Sequence, residues 1–202
     1  MDASDIAEQI HGQEHTLEGD DRLRKFAGIY VGVVAVLLAI ATLGGSKAMK
    51  EMLNANIHAA DTYAFAQAKH IRGTAYEIAA DQLEFELATQ TAPPEAEKAK
   101  AEERLKRYRT NVARYESDPK TGEGRKELLA EAKAWEGVRD YAREQDPNFE
   151  FAEALFQIAI VLGSVSIVAA SPPLLAFSAI VAGLGLLLTI NGYLLLVPLP
   201  LG

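Results

Sequence analysis

Glu8, His11, His15 and Glu18 sit three and four residues apart. That spacing puts all four side chains on one face if the segment is helical. Imidazoles so placed, with carboxylates completing the shell, can bind zinc, which makes His11 and His15 candidate metal ligands. Gly12 weakens such a helix, and an acidic tail holding two chance histidines is the plainer reading. His58 shares a face with Asn54 and Asp61, where a hydrogen-bonded structural histidine is expected. His70 lies beside Lys69 and Arg72 without a carboxylate at ligand spacing. No nucleophile elbow, P-loop, paired-histidine zinc motif or dinucleotide glycine pattern occurs. The absence of cysteine removes thiolate chemistry and disulfides. Neither an enzyme nor a cofactor is therefore expected.

The chain has 202 residues and a formal net charge of -8. An acidic balance argues against nucleic acid, because binding phosphates takes clustered cations. The basic run Arg104-Leu105-Lys106-Arg107 has Glu102 and Glu103 beside it and reads as a solvated helix face.

Residues that can do chemistry are few, and the elements that would carry them are dominated by three apolar runs. The first, Phe26 to Gly45, is uncharged over about 20 residues, enough to cross a bilayer core. The second covers 151–170 with Glu153 near its entry, and the third covers 174–197. Ser171-Pro172-Pro173 stops one helix and turns the chain into the next, so these two form a tight hairpin. Ala39-Ile40-Ala41 has the form of a signal-peptide cleavage site, but the long acidic segment before the first run favours an uncleaved anchor. The expected fold is all-α: an acidic segment over 1–25, transmembrane helices over 26–45, 151–170 and 174–197, and an extramembrane domain over 46–150.

That domain carries 17 of the 20 basic residues. Proline and glycine clusters divide it into helices over 46–91, 95–116 and 125–145. In the first, Met49, Leu53, Ile57, Ala60, Ala64, Ala68, Ile71, Ala75, Ile78 and Phe85 mark the expected packing face. The second has a narrow stripe through Ala101, Leu105, Tyr108, Val112 and Tyr115, the third through Leu128, Ala132, Trp135, Val138 and Ala142. Stripes of this kind suit an antiparallel, coiled-coil-like domain and need a neighbouring helix.

Gly28, Gly32, Ala35 and Ala39 form a small-residue ridge in the first span, and Ser178 with Ala182 and Ala179 with Gly183 repeat the pattern in the third. Small residues let helix backbones approach closely, so these are candidate packing positions. Asn191 is the one strongly polar residue deep in the third span. A lone amide favours a helix–helix hydrogen bond over a transport path.

The stretch Asp61-Thr62-Tyr63-Ala64-Phe65-Ala66-Gln67-Ala68-Lys69 resembles a motif that follows the first span in a bacterial family, the domain of unknown function 4337. The run from Ala154 to Ser164 resembles the family's second span, and Gly183 through Tyr193 its third. The resemblance implies a bacterial inner-membrane protein with three spans and implies no activity. It makes Asp61, Tyr63, Phe65, Gln67 and Lys69 candidate interaction residues. Family members often carry basic residues between spans two and three, and Ser171-Pro172-Pro173 carries none.

Arg22, Arg24 and Lys25 precede the first span while Lys47 and Lys50 follow it. This small excess, with the resemblance, places the amino terminus in the cytoplasm and the helical domain in the periplasm. The uncharged hairpin points the other way. The expected role is a structural or interaction protein that self-associates or serves a larger membrane complex. A pore or transport accessory built by oligomerisation, with Asn191 lining a path, is the alternative. A metal-responsive sensor using His11 and His15 is the third reading.

Overall fold

The computed structural model describes residues 21–89 and 94–198 with their side chains and assigns helical backbone from Ala3. The described residues form four α-helices and no strands: α1 (Ala3–Thr89), α2 (Glu95–Glu116), α3 (Arg125–Ala169) and α4 (Pro172–Leu194). Three of them, α1, α3 and α4, are long and apolar enough to cross a membrane. The chain divides into two units, Met1–Lys50 with Tyr141–Gly202, and Glu51–Asp140. Helices α1 and α3 contribute to both.

The first unit holds the three membrane-length stretches. Its core is Val34 and Ala41 from α1, Ala152, Phe156 and Ala159 from α3, and Val181 and Ala182 from α4. Lipid offers no hydrophobic drive for helices to meet, so close packing and hydrogen bonds must hold them. Both are present. Gly185 lies against the Phe156 ring, where an added Cβ would sit 3.1 Å from Cε1. Phe149 is fully buried in a cradle of Gly44, Gly45 and Gly192, and a Cβ on Gly192 would sit 2.9 Å from its ring. Tyr193 closes the cradle edge-on at 4.9 Å.

Polar ties cross the same unit. Ser178 donates to the carbonyl of Ala159 at 2.7 Å, which leaves its oxygen to accept from the Tyr30 hydroxyl at 2.9 Å. One serine thus joins α1, α3 and α4. Nearby, Gly163 lets Tyr30 and Val31 approach α3. Asn148 is fully buried, and its Oδ1 accepts from Asn191 Nδ2 at 2.6 Å. Asn191 also receives the Val197 N–H and donates to its carbonyl, which folds the chain back after α4. Among the described residues, no buried side-chain nitrogen or oxygen lacks a partner, as a bilayer core would require.

Two local departures from the sequence reading have physical causes. The helix expected over 125–145 does not stop before Asp146-Pro147; α3 runs through it to Ala169. Pro147 withholds one N–H from the helix; one position on, the Asn148 side chain donates to the Glu144 carbonyl at 3.0 Å. The buried Asn148 and Phe149 side chains fix the helix on both counts. Second, Pro172 and Pro173 lie inside the first turn of α4, where a missing N–H costs nothing. The turn itself is Ala170, in the left-handed region at φ 45°, with Ser171 N–H closing onto Ser166 O at 3.2 Å.

In the second unit, contacts step down α1 as they step up α2: Glu84 pairs with Arg109, and Tyr76 meets both Tyr108 at 5.7 Å and Tyr115 at 5.8 Å. Further along α1, His58 stacks on Trp135 of α3 at 4.7 Å. The stripes expected on α2 and α3 are the faces turned inward; Leu128 and Ala132 are buried, and Leu105, Tyr108 and Val112 half-buried.

Packing and hydrogen bonding make separable predictions for the first unit. Phe149→Ala empties the glycine cradle and should cost about 3–5 kcal/mol. Ser178→Ala removes the three-helix tie and should cost roughly 1 kcal/mol. Denaturant titration of the detergent-solubilised protein, followed by circular dichroism, measures both. A serine variant as damaging as the phenylalanine variant would show that polar ties, not packing, dominate.

Candidate interaction surface

The face by which α1 enters the second unit is made of small residues. Ala55, Ala59, Ala66, Gly73 and Ala80 are buried, and a Cβ on Gly73 would meet Tyr115 at 3.6 Å. This corrects the packing face expected from the sequence. Met49, Leu53, Ile57, Ala60, Ala64, Ile71, Ala75, Ile78 and Phe85 are exposed, and Ala68 is half-buried. Ile71 is 61% exposed and Phe85 70%. At 100° per residue the two rows lie on nearly opposite sides of α1. The large apolar side chains thus point away from the unit, and alanine and glycine point into it. At Gly73 the cause is steric, because Tyr115 of α2 lies where a larger side chain would go; elsewhere Tyr108 and Tyr115 meet Tyr76, and Trp135 stacks on His58.

The motif residues divide between the two sides. Tyr63 is half-buried, and desolvation together with the Glu136 carboxylate holds its phenol above the ordinary value. Lys69 bonds to Glu123 at 3.0 Å, with its ammonium 4.8 Å from the Phe65 ring and 5.8 Å from that of Tyr115. These two residues tie α1 to the α2–α3 side. Asp61 and Gln67 are exposed, and Phe65 is 41% exposed.

Lys69 reaches the elbow between α2 and α3. There Arg125 grips Glu116 with two bonds of 2.7 and 2.9 Å, and Glu127 accepts from the Ser117 hydroxyl at 2.5 Å and the Asp118 N–H at 3.1 Å. Gly122 supplies a left-handed turn at φ 73°. The bond from Arg125 holds the Glu116 carboxyl below its usual range, that from Ser117 does the same for Glu127, and that from Thr121 for Asp118. The elbow fixes where α2 and α3 rest on α1, and so which face of α1 stays free.

The remaining candidate residues fall as follows. Gly28 and Gly32 are exposed with nothing within 4 Å of an added Cβ, and Ala35, Ala39, Ala179 and Gly183 are exposed too. None packs within the chain; the buried side of α1 there is Ala27, Val34, Ala41 and Ala48. Asn191 lies in the last turn of α4, not deep in it, and its amide is bound to Asn148. His11 and His15 lie outside the described side chains. Among the described residues no group of three or more metal-ligating side chains forms. Sequence reasoning missed Tyr30, Asn148, Phe149 and the covered row of α1. Only the last carried a signal: small residues recur every seventh position at 41, 48 and 55, and again at 59, 66, 73 and 80.

The family described as Domain of unknown function (DUF4337) matches residues 23–195. No curated protein and no solved structure matches the chain significantly.

The elbow predicts a pH dependence. A carboxylate held below its usual value stabilises the fold above that value, and the contribution vanishes as pH falls through the lowered one. Stability of the second unit should therefore be level above pH 4.5, the ordinary glutamate value, and decline below it. Trp135, the single tryptophan, reports unfolding by fluorescence. Arg125→Met should flatten part of that decline, while a profile unchanged by the substitution would remove the Arg125–Glu116 pair from the account.

Proposed function

The chain belongs to the DUF4337 family, and from that premise we propose that it is a membrane-anchored interaction protein. Its three membrane-length helices hold it in a bacterial inner membrane. Its helical unit, on the periplasmic side, presents the outward face of α1 to a protein partner. One observation carries this reading: Leu53, Ile57, Ile71, Ile78 and Phe85 stand exposed in one row on a helix whose opposite face is already packed. An uncovered row of large apolar groups outside the bilayer core marks a protein-contact face. The lysine and arginine residues before the first span support the orientation. No catalytic role is proposed, since the perturbed carboxylates at the elbow are all occupied in ion pairs or helix-end hydrogen bonds.

The partner can be a second copy or a larger membrane complex, and mass decides whether any exists. Gentle extraction from native membranes should give an assembly heavier than the 21.9 kDa chain. Ile71→Glu with Ile78→Glu should reduce it at least tenfold, because a carboxylate in an apolar contact must be desolvated without a counter-charge. Both positions are exposed, so helicity and the Trp135 melting profile should stay as in the unsubstituted chain. A lone 21.9 kDa species from native membranes would overturn the proposal.

A further inference from the structure

We infer that the outward row of α1 from Leu53 to Phe85 is the seam of a parallel, in-register pair formed with a second copy of this chain; the inference rests on the interaction reading above. The row advances by threes and fours over 33 positions, counting 53 to 85 inclusive, with one extra four-residue step between Ala64 and Ala68. Heptad spacing sustained over three or four repeats suits another long helix lying alongside, and not a compact surface. The extra step is a stutter that such pairs accommodate by local unwinding.

Symmetry favours an identical partner. In an in-register pair each residue of the row meets its own copy, so a charge of either sign would face itself. The row has none: between the large side chains lie only alanines and Gln82. A row selected to meet a different protein is free to carry charge. The flanks are compatible as well. Asn56 would face Asp61 of the second copy, and Gln67 would face Arg72, each a hydrogen-bonding pair across the seam. The one like-charge pairing, Asp81 with Glu86, falls near the far end.

Anchoring fixes the direction. Copies inserted in one bilayer with one topology send α1 out on the same side, so neighbouring α1 helices run parallel. The area suffices: a row about 50 Å long on a helix about 10 Å across offers roughly 500 Å² per copy. Two copies then bury about 1,000 Å², the size at which specific interfaces begin. In the first unit α1 separately leaves Gly28, Gly32, Ala35 and Ala39 uncovered; small residues in lipid permit a second α1 to lie close without requiring it.

The chain has no cysteine, so single-cysteine variants of the full-length protein report unambiguously. Ala60→Cys, Ala64→Cys and Ala75→Cys lie on the row; His70→Cys and Glu77→Cys are exposed but off it. Mild oxidation in native membranes should link the row variants to a species of twice 21.9 kDa, at least tenfold more than the off-row variants, because a disulfide forms only between closely facing positions. Equal linking at all five positions, or none on the row, overturns the inference. Linking of Ala64→Cys to Ile78→Cys but not to itself overturns the register. If the extracted assembly exceeds 21.9 kDa while the row does not link, the partner is a different protein: the inference falls and the interaction reading stands. A bare monomer removes both.

Discussion

A helix can be approached only as closely as its side chains allow, and α1 carries glycine where Phe149 and Tyr115 come closest to it. In the second unit Gly73 admits Tyr115 of α2. In the first, Gly44 and Gly45 admit Phe149. Ring size and α1's smallness are one constraint seen from two sides. Enlarging Gly44 would drive a side chain into Phe149, while shrinking Phe149 would leave a void between glycines that cannot fill it. The large apolar residues of α1 are consequently excluded from its inner face, and their outward position follows from the packing.

Within the first unit that constraint is completed by a few polar bonds rather than many. Ser178 reaches two helices because it stands where Gly163 lets α1 and α3 come together. Asn148 and Asn191 serve a different end. They satisfy each other, bond the Glu144 carbonyl beside Pro147, and hold the residues that follow α4. These groups stabilise modestly one by one, but each has a single arrangement in which no buried polar atom is stranded. They therefore specify the arrangement that packing stabilises.

The class of the fold was legible because it rests on local signals. About 20 uncharged residues read as a membrane-length helix whatever surrounds them, and the helix ends lie close to the proline and glycine clusters. The candidate surface was legible only in part. The row from Leu53 to Phe85 was visible as a row, but not as the outer one. Ordinary reasoning sends large apolar residues inward, and α1 has two non-polar faces, so periodicity alone cannot choose between them. The choice depends on contacts such as that of Gly73 with Tyr115, which is distant in sequence. Pro147 misled for a similar reason: the helix continues past it into the buried Asn148 and Phe149, whose partners are distant in sequence. Tyr30 and Ser178 lie 148 residues apart, and nothing in a single sequence joins them.

Helix α1 leaves a row uncovered in each of its two settings, and the two rows have different consequences. In lipid, exposed Gly28 and Gly32 lose little, because hydrocarbon covers any face that a helix does not. In water, an exposed isoleucine or phenylalanine forgoes about 1.5–3 kcal/mol relative to burial. Leu53, Ile57, Ile71, Ile78 and Phe85 are each only partly covered, so the stabilisation available on covering them amounts to several kcal/mol per copy. That is large against the marginal stability of a small helical unit. On the proposed reading, the drive to find a neighbour would reside in the stretch outside the membrane, and the small-residue row within it would only accommodate what the outer row selects. An assembly held this way would respond to changes in the extramembrane stretch of α1 far more than to equal changes in the span, although both belong to one helix.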